Sequence, residues 1–284
     1  IVVISAMGKT TDDLTVLTKF SKSTVNSAHS DEILSMGERT SARVLTAAIA
    51  SHGMRVDFLD VEDSNWPIIT DENFGNANIL LDESRQKLSS TLPNLLNTLD
   101  VLVIPGFIAK SLNGNVTTIG RGGSDSTAFV IGCALNARQV ILVSDVSGVL
   151  SADPKLIEKP ERIKEIEITQ LMGLADSGVK FLHKKALTYK PPGINVKLVS
   201  NTSASLDVEG TIITGEVEEL DVSLACANVS AVTIVGNNIS ANPGLVSDLF
   251  NVFKEAKVGL QGSSANHSSI VFYVETTGAI NVFE

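Results

Sequence analysis

Thr117-Thr118-Ile119-Gly120-Arg121-Gly122-Gly123-Ser124-Asp125-Ser126-Thr127-Ala128 sits between a strand-like run and an apolar helical stretch. Three glycines around one arginine let the backbone approach a ligand closely and adopt positive φ angles. Ser124 and Asp125 open the helix, where unpaired N–H groups and the helix dipole favour an anion. Arg121 adds a forked donor suited to a carboxylate or phosphate. The same residues also fit a simpler reading, a capped helix after a flexible turn.

On either side of this stretch, short β-branched runs alternate with longer amphipathic stretches, the signature of βαβ units and a largely parallel sheet. Strands are expected at Ile1–Ser5, Val56–Asp60, Val101–Pro105, Gln139–Ser144 and Asn195–Ser200. Their consecutive Val, Ile and Leu residues suit strands covered on both faces. Helices are expected at Ser35–His52, Glu83–Leu99, Asp125–Leu135 and Thr169–Ser177. The fold class is α/β, an open, mainly parallel sheet sandwiched by helices. From about Glu216 the pattern changes to strand Ser230–Val235, helix Pro243–Ala256 and strand Ser269–Val274, a smaller α+β unit. The acidic stretch Gly215–Ser223 divides the chain into residues 1–215 and 216–284. Ile1–Ile4 reads as a strand, so further residues are expected upstream, and internal breaks near Asn26–Ser30 and Val258–Leu260.

The 284 residues are 43% hydrophobic and 19% charged, an ordinary globular composition. A net charge of −10 argues against a nucleic-acid or anionic-membrane surface, both of which require clustered cations. It leaves room for a small anionic ligand held by a few local donors. Cys133 and Cys226 stand far apart, which implies no disulfide framework and a reducing, cytoplasmic setting. The scattered His29, His52, His183 and His267 make no metal-ligand spacing.

Three further segments carry chemistry. Ser144-Asp145-Val146-Ser147-Gly148-Val149-Leu150-Ser151-Ala152-Asp153-Pro154-Lys155 follows a buried strand, so Ser144 and Asp145 lie at a carboxyl end, where open α/β sheets bind ligands. Ser35-Met36-Gly37-Glu38-Arg39-Thr40-Ser41 reads as a helix entrance. There Glu38 either meets a substrate ammonium or complements the dipole. Ser5-Ala6-Met7-Gly8-Lys9-Thr10-Thr11-Asp12-Asp13-Leu14 is a strand running into a polar turn.

Taken together and in this order, these segments resemble the aspartate kinase family. Its Gly-Arg-Gly-Gly-Ser-Asp is intact as Gly120–Asp125, and its Asp-Val-x-Gly-Val-x-x-Ala-Asp-Pro as Asp145–Pro154. Further matches are Ile68–Asp71 with Asn73-Phe74-Gly75, Pro105-Gly106-Phe107-Ile108, Lys180-Phe181-Leu182-His183 and Gly210-Thr211. The tail, with Ser230–Gly236, Pro243-Gly244 and Gln261-Gly262-Ser263-Ser264, is similar to the ACT-type (ferredoxin-like) regulatory modules of that family.

The resemblance implies transfer of the ATP γ-phosphate to the β-carboxylate of L-aspartate, the first step toward lysine, threonine, methionine and isoleucine. It implies that Thr11, Glu38, Phe107, Arg121, Gly122, Gly123 and Ser124 hold aspartate, with Arg121 on a carboxylate and Glu38 on the ammonium. Asp125 then organises groups around the transferring phosphoryl. Ser5, Ser144, Asp145, Leu150, Lys155 and Lys180 border ATP, whose Mg2+ comes with the nucleotide. The tail implies a homo-oligomer and lysine or threonine as effector. The family's initial Lys-Phe-Gly-Gly has no counterpart here. Leu150 replaces a usual aromatic residue, Lys155 an arginine, Lys184 a proline and Ala265 a glutamate. Two other readings stand beside this one, a relative phosphorylating another small acceptor and a non-catalytic amino-acid sensor.

Overall fold

Consecutive apolar residues with no polar alternation demand a strand covered on both sides, and Val101–Pro105 forms a strand, buried at every position after Val101, that stands at the centre of the first sheet. The computed structural model describes residues 1–19, 27–146, 148–150, 160–171, 182–190, 192–216, 229–235, 243–265 and 269–276. They divide into two units, Ile1–Glu218 and Glu219–Glu284.

The first unit opens with β1 (Val2–Ile4), α1 (Thr10–Lys19), α2 (Ser27–Ser51), β2 (Val56–Phe58), β3 (Ile69–Thr70) and α3 (Leu81–Leu96). It continues through β4 (Val101–Pro105), β5 (Ile108–Ser111), β6 (Val116–Thr118) and α4 (Gly123–Ala134). After these come β7 (Val140–Ser144), β8 (Glu165–Glu167), α5 (Lys184–Leu187), β9 (Val196–Ser200) and β10 (Thr211–Thr214). A parallel layer has the order β1-β4-β2, with Ile4 opposite Pro105 and Phe58 opposite Val103. A second layer, β7-β9-β10-β8, pairs β7 with β9 and β10 with β8 in parallel, and β9 with β10 antiparallel. A small sheet has the order β3-β5-β6, with β3 and β5 parallel and β5 and β6 antiparallel.

Two hydrophobic cores result. One gathers Trp66, Ile68, Leu88, Leu92, Leu102, Ile104 and Ile108; the other gathers Val140, Leu142, Ile166, Val196, Leu198 and Ile213. Helix α4 serves both, giving Val130 and Ile131 to the first and Phe129 to the second. An apolar helix with no polar face must be covered all round, and that is the place α4 occupies. Its Gly132 runs against β7, where an added Cβ would lie 2.6 Å from Val140 Cγ2.

Helix α2 departs from expectation. It begins at Ser27 and not near Ser35, because its buried face is polar: Asp31, Ser35, Glu38 and Ser41 repeat at helical spacing where apolar residues would usually stand. Apolar periodicity therefore shows only its second half. Glu38 lies inside the helix, not at its entrance, so the first-turn dipole role is excluded.

The second unit is β11 (Val229–Val235), α6 (Pro243–Glu255), β12 (Leu260–Ala265) and β13 (Ser269–Glu275). Its antiparallel sheet has the order β11-β13-β12, with Phe253 of α6 against Phe272 and Val232. Gln261–Ser264 lies in β12, bulged between Leu260 and Gly262. Expected helix Thr169–Ser177 lies largely outside the described residues. Among the described residues, no helix is long and apolar enough to cross a membrane.

The α4–β7 contact is testable. Gly132→Ala is expected to cost about 1–3 kcal/mol through overpacking. Val140→Ala in the same chain relieves the clash, so denaturant unfolding of the double variant gives less loss than the two single losses added.

Candidate active site

The site begins with β1 and β4, whose parallel pairing brings their carboxyl ends side by side; Gly106 N–H donates to Ile4 O at 2.8 Å. Ligands of open α/β sheets bind at such ends. The chain beyond β4 turns within three residues: Ile108 N–H donates to Gly106 O at 2.7 Å, and Phe107 takes φ +65°. A γ-turn with positive φ at a bulky residue is strained, and strain of this kind is held where function needs it. The Phe107 carbonyl accepts from Ile119 N–H at 2.8 Å, drawing the glycine-rich turn onto it.

That turn delivers the amino end of α4. Gly120 and Gly122 have φ +83° and +73°, and Gly122 is the N-cap. Gly123 N–H closes onto Gly120 O, and Ser126 N–H onto Gly122 O. Among the described residues nothing accepts from the N–H groups of Ser124 and Asp125, as at the first turn of any helix. Ser124 meets both strand ends. Its Oγ accepts from Ser5 Oγ at 2.8 Å, and a Cβ on Gly106 would lie 2.8 Å from Ser124 Cα. A Cβ on Gly123 would lie 2.9 Å from Phe107 Cα. Ser5, Gly106, Phe107, Gly123 and Ser124 thus form one contiguous patch.

Glu38 reaches this patch from α2. Ala6 N–H donates to its Oε1 at 3.2 Å, while Oε2 is buried without a partner among the described residues. The residue is 3% exposed, and burial pushes its carboxyl up to about 7. Burial likewise raises Asp125, in the first turn of α4, to about 6. Burial holds both carboxyls nearer neutrality than usual, Glu38 beside Ala6 and Asp125 in the first turn of α4, a mark of places prepared for charge.

Of the remaining expected residues, Arg121 is exposed in the turn and Thr11 is half-buried in the first turn of α1. Ser144 and Asp145 stand at the carboxyl end of β7, where Ser144 Oγ donates to Asp145 Oδ1 at 3.1 Å. Leu150 bridges to Arg162, and behind it Val149 N–H donates to Thr211 Oγ1. No described contact joins the Ser144 group to the Ser124 patch. Lys155 and Lys180 lie outside the described residues. Among the described residues, no group of three or more His, Cys, Asp or Glu side chains gathers as a metal cage.

Sequence reading missed three residues that shape the turn. Asp31, 1% exposed, accepts from Gly75 N–H, Thr118 N–H and Thr118 Oγ1 at 2.7–2.9 Å. Asn76 and Lys185 meet beneath Ile119. Asn76 and Lys185 adjoin quoted motifs, whereas Asp31 sits in a polar run that carries no signal.

Residues 1–200 match the model of the amino acid kinase family. The chain is 33% identical over 221 residues to the aspartokinase of Geobacillus stearothermophilus, covering 76% of this chain and 51% of that protein. It is 31% identical over 279 residues to the aspartokinase of Corynebacterium glutamicum, covering 95% of this chain and 63% of that one. Among solved structures, E. coli aspartokinase III in complex with aspartate and ADP superposes with a TM-score of 0.63 at 25% identity, over 94% of this chain and 59% of that one. The chain spans about half to two-thirds of the length of these relatives.

Glu38 yields a pH prediction. Its folded pKa stands above the ordinary 4.5, so its contribution to stability is full below 4.5 and lost as pH rises through about 7. Glu38→Gln keeps the acceptor for Ala6 and removes the buried charge. It is expected to be neutral near pH 4.5 and to raise unfolding free energy at pH 8, by about 3 kcal/mol at most. Denaturant midpoints at the two pH values check this.

Proposed function

Because the chain belongs to the amino acid kinase family, we propose that it carries the catalytic unit of an aspartate kinase, transferring the ATP γ-phosphate to the β-carboxylate of L-aspartate. One observation carries the reading: the intact Gly-Arg-Gly-Gly-Ser-Asp turn seats Ser124 against Ser5 and Gly106 at paired strand ends, in a chain 33% identical to an aspartokinase. The complex of the E. coli relative with aspartate and ADP supports the choice of substrate and nucleotide.

In this reading each residue has a physical task. Arg121, exposed and forked, pairs with a carboxylate of aspartate. Glu38, with one buried oxygen unpartnered, meets the ammonium and ionises on doing so. Thr11, Phe107, Gly122, Gly123 and Ser124 complete the acceptor pocket. Asp125 organises the groups around the transfer. Ser5, Ser144, Asp145, Leu150, Lys155 and Lys180 border the nucleotide. ATP with Mg2+ supplies the phosphoryl group and the cation that lets two anions approach. The acceptor carboxylate oxygen forms a bond to the γ-phosphorus, the bond to the β–γ bridging oxygen breaks, and ADP leaves with that electron pair. Positioning and charge stabilisation supply most of the rate in such transfers.

The second unit supports a regulatory assignment. Its β-α-β-β path with order β11-β13-β12 matches the first four elements of a ferredoxin-like β-α-β-β-α-β module. We assign it as an ACT-type module through which the protein forms a homo-oligomer and senses lysine or threonine. The enzyme is assigned to the cytoplasm.

The test traps the acyl phosphate with hydroxylamine after incubation with Mg-ATP and L-aspartate, with glutamate as control. Aspartate-specific hydroxamate is expected, and Arg121→Ala is expected to lower its formation by about 10²–10³-fold. No hydroxamate from a folded, ATP-binding protein would overturn the kinase reading and leave an amino-acid sensor.

A further inference from the structure

Lys185 belongs to α5, whose Ala186 and Leu187 pack into the second core, yet its ammonium reaches toward the first. Nζ lies 2.8 Å from Ile119 O, 2.8 Å from Ala77 O, 2.9 Å from Asn76 Oδ1 and 3.1 Å from Asn76 O. An ammonium has three N–H donors, so four acceptors saturate it. No donor remains for a phosphate or carboxylate ligand, which separates Lys185 from a catalytic lysine. Burial disfavours its charge, and the neighbouring Asp71 carboxylate offsets part of that cost.

The acceptors matter because of what rests on them. Ile119 immediately precedes Gly120, and a Cβ on Gly120 would lie 2.8 Å from Asn76 Oδ1, an atom that Lys185 holds. Gly122 rests on the start of the same helix: a Cβ there would lie 2.7 Å from His183 Cβ and 3.2 Å from Ala186 Cβ. Asp31 already ties Gly75 and Thr118 to α2. A turn of three glycines has little intrinsic preference for one conformation, so its shape must come from what grips it.

We propose that Lys185 is a positioning residue for the acceptor site, its ammonium holding the Ile119–Gly123 turn against Asn76 in the conformation that aims Arg121 and Ser124 at the acceptor carboxylate. The identity of the acceptor rests on the aspartate kinase reading; the turn's dependence on Lys185 does not.

The test compares Lys185→Met, which keeps the aliphatic stem and removes the ammonium, with Lys185→Arg, which keeps a charge. Amide hydrogen exchange is measured without substrate. Lys185→Met is expected to speed exchange in Ile119–Asp125 by about tenfold or more, with β9 unchanged. In the hydroxamate assay it is expected to raise KM for aspartate by about tenfold or more while KM for ATP moves less than about twofold, since small misplacements of positioning groups carry large penalties. Lys185→Arg is expected to recover part of both effects. Unchanged exchange in the turn overturns the proposal whatever the kinetics, and so does a loss that falls equally on both substrates. If the unsubstituted protein forms no aspartyl hydroxamate, the kinase reading fails, and the exchange measurement still decides the role of Lys185.

Discussion

Two backbones come together at Gly106 and Ser124 so closely that no side chain fits on Gly106. This contact sets much of the first unit. It requires glycine at position 106, because any Cβ would strike the Ser124 backbone at 2.8 Å. It forces the γ-turn at Phe107, since the chain must leave β4 at once to pass beneath the helix. It directs the amino end of α4, with its partial positive charge, at the carboxyl ends of β1 and β4. The N–H groups of Ser124 and Asp125, without an acceptor among the described residues, are thereby held at those strand ends.

The same approach places α4 between two cores. Its Phe129 packs toward β7 and β9, its Val130 and Ile131 toward β4 and α3. The glycine turn is thus attached to a helix that both layers hold rigidly, while the turn itself is gripped by Asp31, Asn76 and Lys185. Rigid scaffolding of a conformationally permissive loop is how a glycine-rich segment acquires a defined ligand geometry. Tyr189 adds a third link, packing against both cores while its hydroxyl accepts from Ile79 N–H.

Burial of polar groups is the cost of this arrangement. Helix α2 presents Asp31, Ser35, Glu38 and Ser41 inward, where an ordinary helix would present leucines. Asp31 is compensated by three hydrogen bonds; Glu38 is compensated on one oxygen only. Such a residue lowers the stability of the protein at neutral pH, a cost of the kind expected at a functional site.

What the residues alone determined was the fold class and the local character of the glycine-rich turn. Gly120–Asp125 could be read as an anion-binding turn because glycine, arginine and an N-cap serine act locally. The runs at Val101–Pro105, Gln139–Ser144 and Asn195–Ser200 declared strands for an equally local reason, although Val143 stays exposed. The start of α2 was hidden, because a helix facing a polar site loses the apolar period that reveals helices. Asp31, Asn76 and Lys185 were hidden because their work is done across 87, 44 and 66 or more residues of chain, to Thr118, to Gly120 and to Ile119. Only the tertiary structure decides which distant backbone carbonyl an ammonium will meet, since hydrogen bonding is short-ranged and directional and the sequence specifies it only through the packing of everything between.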